Sequence, residues 1–293
     1  MNENLSVKTI EFKENVSAKE LTTMKAEATI KIVFYPKNEK ELVFIYNYLA
    51  VNNIKFIVIG NGSNVIFTKK ASEMVVISTK KLKNKITRRD NVVSINCSTP
   101  LAVIFRYALK NSLSGFERLA AIPGNLGGAI FMNASAFGSS IFDYLTNVKV
   151  LKNGKIQNIK KEKLSLCYRD SGLSGCLILS AKFRLPKKDK CEIEKEFYKY
   201  QYLRHVKQPK GLSSGSIFKN PPLLSAGKLI EECGLKGLQI GGGKISEKHA
   251  NFIINLGDAT ADDILKLISL VKSKVYEKYK IRLVEEVKLL APE

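Results

Sequence analysis

The stretch Gly211-Leu212-Ser213-Ser214-Gly215 has the G-x-S-x-G spacing that holds a nucleophilic serine on a sharp strand-to-helix turn in hydrolases. Its surroundings oppose that chemistry for Ser213. The residues before it, Asp189 to Val206, are polar with apolar positions at helical spacing, and Pro221-Pro222 blocks a helix start behind it. Only His205 and His249 are available as a base, and neither stands in a base motif. One position beyond the pentapeptide comes Ser216-Ile217-Phe218-Lys219-Asn220-Pro221, so the choice between Ser213 and Ser216 stays open at this point.

Two glycine-bearing stretches suggest a ligand. Gly60-Asn61-Gly62-Ser63-Asn64 begins like a dinucleotide fingerprint, but Val65 replaces the last glycine and Val65-Ile66-Phe67 reads as extended, not helical. The turn can present several backbone N–H groups to a phosphate, or it can be a plain tight turn. The second stretch runs Ala121-Ile122-Pro123-Gly124-Asn125-Leu126-Gly127-Gly128-Ala129, with Met132-Asn133-Ala134-Ser135-Ala136-Phe137-Gly138 close behind. Small residues let backbone lie against a flat or anionic group. A long loop inside a compact domain is usually functional. Together the two stretches suggest one extended, phosphate-bearing cofactor.

The elements that must carry these stretches fall into three blocks. The first, 1–70, reads β-α-β: a strand Ile30 to Tyr35, a helix from Asn38 to about Asn52 with Glu41 at the capping-box position, and a strand Lys55 to Ile59. The second, 71–188, has strands at Met74–Ile77 and Val92–Cys97, then a helix capped by Thr99 with Pro100 in its first turn, running to about Leu113. The glycine-rich segment Ser114 to Gly138 follows as loop. A hairpin turns at Asn153-Gly154, and a strand Leu177 to Leu185 leads to a charged linker, Lys187 to Lys190. The third, 189–293, has a helix to about Val206, a short helix Leu229 to Cys233 and a strand Asn251 to Leu256. Thr260 then caps a helix to about Lys280, with Ile264, Leu265, Ile268, Val271 and Val275 on one face. A last strand spans Ile281 to Leu290. Helices and strands alternate without a repeat, so the fold class is α+β.

The 293 residues are enough for two or three domains, and 45% hydrophobic content supports real cores. No apolar run reaches the ~18 residues of a membrane span, and the N-terminus lacks a signal-peptide core. Five cysteines, odd in number and without C-x-x-C, favour a reducing cytoplasm and no metal site. The net charge of +21 raises nucleic-acid binding as one reading. However, 40 of the 48 basic residues are lysines spread along the chain, without arginine-rich runs. A lysine-rich solvated surface is the plainer account of the charge, and steering of a multiply anionic small substrate is the sharper one.

Six motifs, in order, resemble the UDP-N-acetylenolpyruvoylglucosamine reductases, the MurB family. They are residues 60–64, 122–129, 132–138, Tyr168-Arg169-Asp170-Ser171, Gly215 to Pro221, and Leu283 to Val287. The match spans nearly the whole chain. Ser135 and Phe137 replace the family's usual Gly and Tyr, and Ala26-Glu27 stands where a Gly-Gly pair is usual. The 47-residue gap from Arg169 to Ser216 is similar to the shorter subgroup, which lacks a substrate-capping insertion.

The resemblance implies a two-part FAD-binding region of the PCMH/vanillyl-alcohol-oxidase type (1–70 and 71–188) and a C-terminal α+β substrate domain (189–293). It implies non-covalent FAD reduced by NADPH, and reduction of a UDP-N-acetylglucosamine enolpyruvyl ether for peptidoglycan precursor synthesis in the cytoplasm, with no nucleic-acid partner and no membrane insertion. FAD contacts carry over to Gly60, Asn61, Gly62, Ser63, Asn64, Ile122, Pro123, Gly124, Gly127, Gly128, Asn133, Ala134, Ser135 and Gly138. Substrate contacts carry over to Tyr168, Arg169, Lys219 and Asn220. Arg169 would pair the substrate carboxylate as charge builds. Glu286 would hydrogen-bond the enolic group, which as a donor requires a carboxyl pKa raised by desolvation. Ser216, not Ser213, would donate the proton. A hydroxyl is a weak acid, but it suffices toward a carbanion-like centre. Two alternatives remain: another FAD enzyme of the same superfamily, or a basic nucleic-acid-binding protein. Covalent flavin attachment through histidine is disfavoured, since no His lies near 60–64 or 122–138.

Overall fold

In a computed structural model of the chain, the structure describes residues 6–291. Two compact units emerge. One comprises the chain up to Glu11, Phe34–Asn61 and Ile77–Arg204; the other comprises Phe12–Val33, Gly62–Val76 and His205–Glu293. Compactness therefore does not follow chain order, and the turn 60–64 contributes residues to both units.

The first unit is built on a five-stranded antiparallel sheet. In spatial order its strands are Lys155–Lys160, Leu145–Lys152, Leu177–Arg184, Val92–Asn96 and Ile86–Arg89. Alternation buries Val148, Ala181 and Ile95 on one rung, while Asn147, Lys182 and Ser94 turn to the other face. Asn153 and Gly154 both take positive φ, 49° and 72°, as a two-residue hairpin with strand-matched twist requires. The helices Leu101–Lys110 and Leu126–Phe131 bury Leu101, Ile104, Phe105, Leu126 and Ile130. Asn38 caps the helix Glu39–Val51, its side chain accepting from the Glu41 N–H at 2.9 Å. Glu41 reaches back one residue further than expected, to the Lys37 N–H at 2.8 Å.

The second unit packs the helix Ala261–Tyr279 against Ala226–Glu232 and the three-stranded antiparallel sheet Gln239–Ile240, Gly243–Ile245, Ile253–Asn255. Thr260 and Asp263 form a reciprocal capping box at the helix start. Ile264, Leu267, Ile268, Val271 and Val275 enter a core shared with Ile217, Phe218, Leu283 and Val287. A two-stranded parallel pair, Val65–Phe67 with Lys288–Leu290, brings the C-terminal strand beside the turn at 62–64.

Several local expectations shift. Pro100, not Thr99, occupies the cap position of Leu101–Lys110, and the Thr99 hydroxyl bonds the Asn96 side chain instead. The glycine-rich segment is not all loop, since Leu126–Phe131 is helical. Leu265 is half-exposed, and Leu267 takes its place in the core. Lys187 to Lys190 is not a free linker: the Lys188 N–H donates to the Ser112 carbonyl at 3.1 Å and its ammonium pairs with Glu196 at 3.4 Å. The last strand is confined to Lys288–Leu290.

Candidate functional site

Within the first unit, the two glycine stretches meet. The Asn61 side chain donates to the Pro123 carbonyl at 2.8 Å, and a Cβ on Gly60 would touch Asn125 at 3.5 Å. Asn61, Pro100, Ala102, Ala120, Ala121, Ile122, Pro123, Gly124 and Asn125 line a concavity of ≈ 260 Å³. The lining is nearly all small side chains and backbone. It includes the first turn of the ten-residue helix Leu101–Lys110, to which Pro100 offers no side-chain cap. The helix start itself is already engaged: the Leu101 N–H donates to the Gly124 carbonyl at 3.0 Å and the Val103 N–H to the Pro100 carbonyl at 2.9 Å.

The other glycines divide by role. Gly127 supports the fold: a Cβ there would sit 3.0 Å from the Cys97 Cβ, and its N–H donates to the Cys97 carbonyl at 2.9 Å. Gly128, one residue on, faces open space. Burial pushes the Cys97 thiol up to about 12, so Cys97 packs as a neutral thiol and offers no thiolate beside the glycines.

The stretch 132–138 holds a second cluster. Cys167 and Asp170 exchange both backbone hydrogen bonds, at 3.0 and 3.1 Å, which leaves Tyr168 and Arg169 at the tip of a two-residue turn. Arg169 has φ +60°, an uncommon conformation for a non-glycine residue. Its guanidinium donates to the Ser135 hydroxyl at 2.9 Å and lies 5.2 Å from the Tyr168 ring centre. Asn133 donates to the Cys167 carbonyl and accepts from the Ser140 hydroxyl, both at 2.9 Å. The buried Ser171 donates to the Phe131 carbonyl at 3.1 Å. Ala134 and Gly138 contribute backbone, with the Ala134 N–H on the Ala129 carbonyl at 2.8 Å and Gly138 at φ +77°. Arg118, which no motif marks, donates to the Phe137 carbonyl at 2.9 Å and pairs with Glu196 at 2.9 Å.

Within the second unit, Ser216 and Glu286 fall on neighbouring backbone segments. The Glu286 N–H donates to the Ile217 carbonyl at 2.8 Å, and the Lys219 N–H donates to the Val284 carbonyl at 2.8 Å. On its other side, Ser216 bridges Phe252. Ser216 is half-buried, whereas Ile217 and Phe218 are fully buried. The preceding serines are engaged differently: the Ser214 hydroxyl donates to the Val65 carbonyl at 3.2 Å, and the Ser213 carbonyl accepts from Thr23 at 2.7 Å.

The glycine turn also serves this cluster. The Asn64 side chain donates to the Glu286 carbonyl at 3.1 Å, and the Asn64 carbonyl accepts from the Lys288 N–H at 2.9 Å. Ser63 is half-buried between Gly62 and Asn64. The Asn220 side chain accepts from the Ala226 N–H at 3.0 Å, at the start of the helix Ala226–Glu232, while Lys219 is half-buried. Among the described residues, no group of three or more His, Cys, Asp or Glu is arranged to hold a metal ion.

Comparison with known proteins gives consistent matches. Residues 30–160 match a family described as an FAD binding domain, and residues 207–290 match the UDP-N-acetylenolpyruvoylglucosamine reductase C-terminal domain. A UDP-N-acetylenolpyruvoylglucosamine reductase of Caldanaerobacter subterraneus is 38% identical over 280 residues, covering 94% of this chain and 92% of that protein. One from Streptococcus pneumoniae is 39% identical over 285 residues, covering 96% and 94%. The crystal structure of the reductase from Thermus caldophilus superposes with a TM-score of 0.82 at 32% identity, covering 97% of this chain and 99% of that one.

Proposed function

The chain belongs to the UDP-N-acetylenolpyruvoylglucosamine reductase family, and from that premise we propose that Ser216, Glu286 and Arg169 carry its chemistry. The protein is an FAD-dependent oxidoreductase that reduces UDP-N-acetylglucosamine enolpyruvate with NADPH, a step of peptidoglycan precursor synthesis. The residues present fit FAD: the small residues of the concavity and the open space at Gly128 let backbone lie against a flat or anionic group. Asn61, Ile122, Pro123, Gly124 and Gly128 would hold it. When bound and reduced by NADPH, FAD supplies the hydride that the substrate's methylene carbon receives.

The chain's own groups then manage charge and one proton. Electron density moves from the double bond onto the neighbouring carbon and its carboxylate. Arg169, held in its turn by Ser135 and Tyr168, pairs that carboxylate and stabilises it more as charge grows. Glu286 hydrogen-bonds the enolic group, a donor there only when its carboxyl carries a proton. The Ser216 hydroxyl gives its proton to the carbon next to the carboxylate, and solvent restores it. The adjacency of the Ser216 and Glu286 segments through the Ile217–Glu286 backbone bond is the observation that carries this reading. Tyr168, Lys219 and Asn220 contribute to substrate binding. The blocks 1–70 and 71–188 serve FAD, and 189–293 serves the substrate. We place the reaction in the cytoplasm, which the five free cysteines support. Arg169→Ala tests the assignment. Flavin content and reduction by NADPH should persist while reoxidation by substrate falls by at least about 10²-fold. Equal losses in both half-reactions would make Arg169 structural.

A further inference from the structure

A serine hydroxyl swings on one rotatable bond, so the backbone of 215–218 decides where Ser216 delivers its proton. That backbone belongs to no regular strand; only isolated bridges, Ser216 with Phe252 and Phe218 with Glu285, mark its path. On the N-terminal side Gly215 has φ +75° and no side chain of its own to pack, with open space around its Cβ position. On the C-terminal side stands Asn251, 4% exposed. Its side chain accepts from the Phe218 N–H at 2.9 Å and donates to the Phe218 carbonyl at 2.8 Å. Its own carbonyl accepts from the Ile217 N–H at 2.9 Å. Its own N–H donates to His249 Nδ1 at 3.2 Å. One asparagine thus supplies three of the backbone hydrogen bonds that a neighbouring strand would supply.

We infer that Asn251 is the positioning residue for Ser216. It fixes the backbone one and two residues beyond the proton donor, and so sets the reach of the hydroxyl to the acceptor carbon. The inference rests on the proposed role of Ser216. A simpler role for Asn251, satisfying buried backbone groups while the Ile217 and Phe218 side chains anchor the segment, predicts lost stability without a selective effect on one half-reaction.

Asn251→Asp separates the two. The aspartate oxygen still accepts from the Phe218 N–H, but a carboxylate repels the Phe218 carbonyl, whereas a protonated carboxyl donates to it. Burial raises the pKa of that carboxyl, so the bond returns as pH falls. In the FAD-loaded variant, reduction by NADPH should match wild type at every pH. Reoxidation by substrate should be slower by at least about tenfold at alkaline pH, given that a ~1 Å misplacement can cost about 10²-fold. It should recover toward wild type on acidification, with the wild-type profile, which includes His249, as reference. In flavin-free protein, amide protection at Ile217 and Phe218, taken relative to the base-catalysed intrinsic exchange rate, should fall below wild type at alkaline pH and return toward it in acid. Should Asn251→Asp not fold, Asn251→Ser carries the same comparison of half-reactions and of amide exchange. Slowing of both half-reactions alike, or reoxidation at the wild-type rate while Ser216→Ala is slow, overturns the role of Asn251. Ser216→Ala reoxidising at the wild-type rate overturns the underlying proton-donor reading.

Discussion

Replacing Gly62 with alanine separates backbone strain from collision. Gly62 has φ +65°, and a Cβ there would lie 2.0 Å from the Leu21 carbonyl oxygen and 2.8 Å from the Thr22 Cα. The left-handed conformation alone costs alanine ~1–2 kcal/mol. The collision is with backbone, so no rotamer relieves it and the turn must move. Movement breaks the Thr23 N–H to Gly62 carbonyl bond of 3.1 Å, worth about 1 kcal/mol net. Displacement of Asn64 from the Glu286 carbonyl adds a comparable loss. The total is at least about 3 kcal/mol, or roughly 5 °C in Tm. Gly234 is the control: it lies in the same unit at φ +73° with nothing within 4 Å of its Cβ position, so Gly234→Ala carries the strain without the collision. Thermal unfolding of flavin-free protein should place Gly62→Ala clearly below Gly234→Ala. Equal melting of the two variants would refute the reasoning.

Three further outcomes follow from the same geometry. Gly127→Val should destabilise flavin-free protein by ~1–3 kcal/mol against Cys97, whereas Gly128→Val should leave its melting within about 0.5 kcal/mol and instead lower flavin absorbance per protein. Burial holds the His249 pKa below its ordinary value, so His249 contributes stability above about pH 6.5 that is lost as pH falls; His249→Gln should flatten that acid limb in urea titrations. For Glu196, burial acts to raise its carboxyl pKa, but the Arg118 hydrogen bond and Lys188 outweigh it and the net shift is downward. Its contribution is present above the ordinary carboxylate range and lost on acidification, so Glu196→Gln should remove that sensitivity in urea titrations across acid pH.

What the sequence made legible was local. Asn38 and Thr260 announce helix starts because a cap is a contact between residues three apart, and Asn153-Gly154 fixes its hairpin because both positions need positive φ. Thr99 misled for the same reason: its hydroxyl had an equally local partner in Asn96. The helix Leu126–Phe131 was hidden by Gly127 and Gly128, which disfavour helix in isolation and are tolerated because Gly127 packs on Cys97. The parallel pairing of Val65–Phe67 with Lys288–Leu290 has no local signature at all, since the strands lie more than 200 residues apart. The site divides the same way. Ordered motifs pointed to Arg169, Ser216 and Glu286, but Asn64 read only as a cofactor-turn residue, whereas its side chain holds the Glu286 backbone. Asn251 carried no signal, because its meaning depends on Phe218, 33 positions away.

The proton-donor role of Ser216 is tested most directly by measuring the two flavin half-reactions in Ser216→Ala and Ser213→Ala. Ser213 engages Thr23 through its carbonyl, which alanine retains, so Ser213→Ala should behave as wild type in both. Ser216→Ala should keep FAD and accept hydride from NADPH at the wild-type rate, while reoxidation by the enolpyruvyl substrate falls by at least about 10²-fold. Equal loss in both half-reactions, or a large loss confined to Ser213→Ala, would contradict the account.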